Sequence, residues 1–172
     1  MIPEEVLNRW NALEAPRAEK KKVMFMAIAS LIGALGTCDR KQVGAVIVRD
    51  GRCISWGYNG APPGLPHCSE NLHGWIGDEE LWERSKGNIG CRNATHAEAN
   101  AIAAAAKQGI STDGAELYVT VSPCESCARL IIAAGIVRVF YLEAYRKDDG
   151  CRILQQASIP TSQLLSTSSS DS

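Results

Sequence analysis

No apolar run in this 172-residue chain approaches the ~18 residues that a membrane-spanning helix needs. The longest candidate, Val23 to Leu35, is interrupted by Ser30 and Gly33. Positive charge is not in excess either: 18 Lys and Arg against 19 Asp and Glu leave a net charge of −1. A nucleic-acid scaffold carries a basic surplus, so neither a membrane nor a nucleic acid is an expected partner. The opening residues Met1-Ile2-Pro3-Glu4-Glu5 lack the basic start of a secretory signal, and the expectation is a cytoplasmic, reducing location. Disulfides are then not expected, and the seven cysteines need another use. Spaced Cys with nearby His points first to metal.

No internal repeat is visible. Length and ordinary globular composition (45% apolar, 22% charged) fit one domain over residues 1–165 with a Ser-rich, disordered tail at 166–172. Pro3 to Leu13 reads as a short helix. A longer one runs from Pro16 to Leu35, with Val23, Ala27, Leu31 and Leu35 recurring every four residues and Gly36 as its stop. VGAVIV at 43–48 is a buried strand, Asp50-Gly51 a hairpin turn, and 53–58 the returning strand. Residues 59–95 lose all periodicity, and their Cys, His and Trp content argues for an ordered functional loop. Beyond it come a helix at 96–107, a strand at 115–121, a helix at 123–134 opened by Pro123 and closed by Gly135, a strand at 137–143, a helix from Asp148 to Ala157, and a short strand within 159–165. A hairpin joined to parallel strands gives an α/β fold: a mixed sheet with helices on both faces.

The chemistry concentrates in His96-Ala97-Glu98 and Pro123-Cys124-Glu125-Ser126-Cys127. Catalytic zinc takes three protein ligands and leaves a fourth position for water. Cys124 and Cys127 are one turn apart at a helix start, where thiolate is favoured. His96 begins the preceding helix, so His96, Cys124 and Cys127 can meet. Glu98, two residues on, can reach a zinc-activated water without binding the metal, and can move its proton to a ring nitrogen and a leaving amine. C-x-x-C alone would read equally as a redox pair or half of a four-cysteine zinc site. The H-x-E…P-C-x-x-C spacing is instead that of zinc deaminases.

His96 to Ile102 (H-A-E-A-N-A-I) resembles the corresponding helix of the deoxycytidylate (dCMP) deaminases, within the cytidine deaminase superfamily. So do Val43 to Val48, Gly57-Tyr58-Asn59-Gly60, Tyr118-Val119-Thr120, Pro123-Cys124, Gly135-Ile136 and Tyr145. The resemblance spans about residues 25–157. It implies a three-layer α/β/α fold around about five strands. It also implies zinc-dependent hydrolytic deamination of dCMP to dUMP and ammonia, with zinc-bound hydroxide attacking C4, Glu98 as proton shuttle, and dUMP going to thymidylate synthesis. The backbone at Ala97, Cys124 and Ser122 would hold the ring, Asn59 the sugar, and Tyr145 would line the pocket. Read without the resemblance, Asn59-Gly60 is a favoured turn and Tyr145 a strand-end aromatic. The family's hexamers, activation by dCTP, inhibition by dTTP and use of Mg2+ are implied in the same way. Tyr58, Asn59, Gly60 and residues 61–66 are where that control would lie.

Two further sets remain. Cys38, Cys68, His73 and Cys91 make three Cys and one His, a closed structural zinc set that would tie down the loop; free thiols are the alternative. A nucleotide's phosphate needs cations, and Arg40, Lys41, Arg129, Arg146 and Lys147 are candidates, with Arg40 first because it precedes the first strand. Other readings are a deaminase of cytidine, guanine or a 5-substituted dCMP, a polynucleotide-editing deaminase, and a non-catalytic nucleotide-binding protein.

Overall fold

The structure is a computed structural model, and it describes residues 4, 6–8, 16–38, 41–65, 67 and 94–164. Along the chain run α1 (Arg17–Gly33), β1 (Gly44–Arg49), β2 (Arg52–Tyr58), α2 (Ala97–Lys107), β3 (Glu116–Val121), α3 (Glu125–Ala133), β4 (Arg138–Glu143), α4 (Asp149–Gln156) and β5 (Thr161–Gln163). The expected first helix lies largely outside the described residues, although residues 4 and 6–8 are helical and Val6 is buried.

The five strands form one mixed sheet in the order β2-β1-β3-β4-β5. β1 is antiparallel to both β2 and β3, while β4 is parallel to β3 and to β5. The β1–β2 turn places Asp50 and Gly51 at φ 52° and 69°, the two positive values that a tight hairpin matching strand twist requires. The last strand is only three residues long, because Thr161-Ser162-Gln163 offers little apolar surface to bury.

β1 and β3 are buried almost throughout, since helices cover both faces. On one face, Ala97 and Ala101 of α2, Ala128 and Ile131 of α3 and Leu154 of α4 pack on Ala45, Ile47, Leu117, Val119 and Val139. On the other, Val23, Phe25, Met26 and Ala29 of α1 pack on Val46, Val48, Tyr118, Phe140 and Leu142. This is the expected three-layer α/β/α arrangement.

α1 corrects one expectation. It ends at Gly33 rather than at Leu35, and the every-fourth-residue stripe points outward at its end: Leu31 and Leu35 are 48% and 56% exposed. The buried face is instead Val23, Met26, Ala29 and Gly33. These small residues let α1 settle against the backbone of Gly44, where any side chain would overlap the Ala29 carbonyl.

α2 lies equally close to β2. Gly57 faces the backbone of Ala97 and Ala101, leaving no room for a Cβ. The Ser55 hydroxyl donates to the Ala101 carbonyl (2.7 Å), and Asn100 Nδ2 to the Tyr58 carbonyl (2.7 Å). The alanine-rich sequence of this helix is what permits that approach, and the approach fixes where His96 and Glu98 stand.

Candidate active site

Two helix starts build the site, beside the carboxyl ends of the parallel strands β3 and β4, where ligand crevices form in α/β sheets. His96 is the N-cap of α2 and Cys124 the N-cap of α3, both with extended backbone (φ −71°, ψ 154° and φ −75°, ψ 172°). The sequence placed both residues inside their helices, with Pro123 as first residue. They stand instead half outside, where a side chain projects beyond the first turn. Cys127 lies one turn along α3, buried.

His96 Nδ1 is 3.4 Å from Cys124 Sγ and 3.4 Å from Cys127 Sγ. The three ligating atoms lie within 4.8 Å of one another. Tetrahedral zinc, with bonds of about 2.0–2.1 Å to nitrogen and about 2.3 Å to sulfur, separates such ligands by roughly 3.5 Å. Both His96–Cys separations match that spacing, and one imidazole with two thiolates is a zinc-type set.

The electrostatics agree. The Cys127 thiol donates to Cys124, and this, with His96 beside it, pulls the Cys124 thiol down to about 3. The same shared hydrogen bond, together with burial, pushes Cys127 up, so the pair keeps one proton. Zinc binds thiolates, so ligation releases that proton. The hydrogen bond to Cys124 raises His96.

Glu98, in the first turn of α2, is 4% exposed. Burial pushes its carboxyl up; its own backbone hydrogen bond and His96 offset this in part. A carboxyl raised in this way is suited to proton transfer.

Glu98, His96 and Cys124 line a cleft of about 480 Å³, together with Asn59, Ala97, Ser122 and Tyr145. Asn59 is 8% exposed, and its amide is already engaged: Oδ1 accepts from Val43 N (2.7 Å) and Nδ2 donates to the Lys41 carbonyl (2.7 Å). Ser122 Oγ accepts from Tyr145 N (2.7 Å), joining the ends of β3 and β4.

Of the other candidates, Arg40, Cys68, His73 and Cys91 lie outside the described residues. Cys38 is buried on the wall of this same cleft, a placement the sequence did not signal. Lys41 and Arg146 also line the cleft, whereas Arg129 is engaged with Glu125 on α3 (2.6 Å). Val43, Val121, Ala94 and Ala144 also line the wall; sequence assigned none of them a pocket role, because small and aliphatic residues read as ordinary packing.

A mixed α/β/α sandwich with a zinc-competent His/Cys/Cys set and a buried carboxyl in one cleft defines a zinc-dependent deaminase, a hydrolase. The family model for the cytidine and deoxycytidylate deaminase zinc-binding region matches residues 17–143. The chain belongs to that family. It is 40% identical over 141 residues to ComE operon protein 2 of Bacillus subtilis (strain 168), covering 81% of this chain and 69% of the relative. It is 42% identical over 120 residues to the deoxycytidylate deaminase of Mycobacterium phage D29, covering 68% and 90%. Among solved structures, the dCMP deaminase of cyanophage S-TIM5, in complex with dCMP and dUMP, matches with a TM-score of 0.70 at 31% identity, over 88% of this chain and 99% of that one. Among the described residues, no helix is long and apolar enough to cross a membrane.

Proposed function

We propose that this chain hydrolyses dCMP to dUMP and ammonia. The observation that carries this is the convergence of His96 Nδ1, Cys124 Sγ and Cys127 Sγ beside the buried carboxyl of Glu98. Relatives at 33–42% identity bear the name deoxycytidylate deaminase, and the S-TIM5 enzyme holds dCMP and dUMP.

His96, Cys124 and Cys127 would hold the zinc, which when bound would supply the Lewis acidity that makes water a nucleophile near neutral pH. With that group bound, Glu98 would be the proton carrier, taking a proton from the attacking water and delivering it to N3 of cytosine as C4 gains its oxygen. Glu98 would then carry the proton of the new C4 hydroxyl to the amino group as the C4–N bond breaks, so that ammonia leaves and the C4 carbonyl of uracil forms. Ala97 opens α2, where backbone N–H groups have no partner within the helix, and is suited to bind the ring oxygen. The Ser122 carbonyl and the Cys124 N–H serve the ring edge, and Tyr145 closes the pocket. Asn59 keeps one amide hydrogen and a lone pair for the sugar.

On the same reading, the product dUMP feeds thymidylate synthesis, and dCTP activates and dTTP inhibits with Mg2+ in a hexamer. The family resemblance supports these roles. A second zinc at Cys38, Cys68, His73 and Cys91 belongs to it too, supported by the three-Cys, one-His set. Metal analysis tests this: two zinc per chain, falling to one in Cys68→Ala, is expected, and one zinc unchanged by that variant removes the second site.

The deciding experiment is a substrate panel on zinc-loaded protein: dCMP, CMP, dCTP, deoxycytidine and 5-substituted dCMPs. Selectivity for dCMP of about tenfold or more in kcat/KM is expected. The same margin for cytidine or guanine would transfer the mechanism to another substrate. A sigmoidal rate curve made hyperbolic by dCTP would support the effector role.

A further inference from the structure

Asn100 lies in α2 one turn beyond His96, yet it does not line the cleft. Its backbone N–H donates to the His96 carbonyl (3.0 Å), and its side-chain Nδ2 donates to the Tyr58 carbonyl at the end of β2 (2.7 Å). The Tyr58 carbonyl points away from β1. The next residue, Asn59, gives its N–H to the Val43 carbonyl (3.0 Å), and inward and outward backbone groups alternate along an antiparallel strand. A helix side chain thus satisfies an acceptor that a further strand would otherwise take.

Asn59 lines the cleft and is anchored from two sides. On the sheet side, Oδ1 accepts from Val43 N and Nδ2 donates to the Lys41 carbonyl (both 2.7 Å). Lys41 Nζ in turn lies 2.5 Å from Glu143 Oε2 at the end of β4. On the helix side, the residues flanking Asn59 are held. Asn100 binds Tyr58, and Gly60 exchanges two backbone hydrogen bonds with Thr95, the residue before His96 (3.1 and 2.8 Å). Gly57 permits the approach, since a Cβ there would overlap the Ala97 carbonyl and the Ala101 nitrogen.

We infer that Asn100 is a positioning residue: its hydrogen bond to Tyr58 sets the distance between Asn59, which meets the sugar, and the helix start that carries His96 and Glu98. This rests on the dCMP reading above and deepens it by naming what couples sugar recognition to the reacting end of the cleft. Asn59 has one amide hydrogen and one lone pair left for a sugar hydroxyl. Misplacement of a bound substrate by ~1 Å, caused far from the reacting atoms, costs up to about 10²-fold in rate. A donor from the catalytic helix to the strand end that carries Asn59 guards against that shift.

The test compares dCMP with 2′,3′-dideoxy-CMP, which lacks the 3′-hydroxyl, by kcat/KM on zinc-loaded protein. Removing the hydroxyl from the substrate leaves the structural bonds of Asn59 intact. Wild-type protein is expected to prefer dCMP by about tenfold or more. Asn100→Ala is expected to cut that preference at least about fivefold, through KM for dCMP, while kcat/KM for the dideoxy analogue stays within about threefold. Asn100→Asp keeps the size and removes the donor, and should match Asn100→Ala. Ser55→Ala breaks a different bond between β2 and α2, to the Ala101 carbonyl, and should leave the preference within about twofold. Zinc content checks that the variants are folded. A preference absent from the wild type, unchanged in both Asn100 variants, or lowered equally by Ser55→Ala overturns the inference. So does an equal loss on both substrates, which a merely structural role would give. Wild-type protein inert toward dCMP overturns the proposed function instead, and calorimetry of dUMP against its 2′,3′-dideoxy analogue on the same variants then decides the role of Asn100.

Discussion

The α-carbon of Gly150, in the first turn of α4, sits directly against the carbonyl of Pro123. A Cβ at position 150 would overlap that oxygen and crowd the backbone of Cys124. A helix outside the metal site thus sets the position of one of its ligands. Gly150→Ala forces backbone apart from backbone, which no rotamer change relieves. The expected result is weaker zinc retention during dialysis against a chelator and a loss of kcat/KM of about tenfold or more, because ligand placement tolerates only ~0.5 Å. Retention and rate equal to wild type would show that α4 yields freely.

Glu98→Gln keeps the size of the side chain and removes its capacity to shuttle protons. Since Glu98 lies outside the metal-competent set and the proposed mechanism makes it a proton carrier, zinc content should stay at the wild-type level. Turnover should fall by about 10²–10⁴-fold, the range of general acid–base catalysis. Atomic absorption and an ammonia-release assay measure the two. Zinc loss accompanying the rate loss would make Glu98 part of the metal set.

The central site was legible in the sequence because its parts are local to two helix starts, His96 to Glu98 and Pro123 to Cys127, and spacing alone implies their chemistry. The strands were legible because VGAVIV is continuously apolar and AELYVTV is rich in β-branched and aromatic residues, each near turn residues. The facing of α1 was not. Its sequence carries two apolar stripes, and only the small residues Ala29 and Gly33 meeting Gly44 decide which one turns inward. Nor could local pattern join Lys41 to Glu143, since tertiary structure alone brings together residues so far apart. Asn59 shows the intermediate case: an Asn-Gly pair reads as a turn or as a ligand contact, and its buried amide is engaged in shaping the 41–43 backbone.

That engagement carries its own prediction. Asn59→Ala strips partners from the Val43 N–H and the Lys41 carbonyl at once. Each unsatisfied backbone group costs about 1–3 kcal/mol, less where water can reach it, so a total destabilisation of about 2–4 kcal/mol is expected in urea denaturation. Asn59→Asp still accepts from Val43 but sets a carboxylate oxygen against the Lys41 carbonyl, and should recover at most part of the loss. A change below about 0.5 kcal/mol in both variants would mean that the 41–43 segment holds itself.

On the opposite face of the sheet, Tyr118 is 2% exposed between Phe25 and Phe140, with ring centroids 5.3 and 4.8 Å away, and its hydroxyl donates to Glu116 Oε2 (3.1 Å). Burial, followed by the Glu116 charge, pushes its ionisation well above the usual value of 10.0. The folded protein then keeps this proton where the unfolded chain releases it. Stability is unaffected below pH 10 and falls as pH rises beyond it, since the native state binds more protons than the unfolded one. Tyr118→Phe should lose under about 1 kcal/mol near neutrality, where only one partly solvated hydrogen bond disappears. Above pH 10 it should decline less steeply than wild type in denaturant midpoints measured at successive pH values. Parallel declines in the two proteins would assign the alkaline loss to other groups.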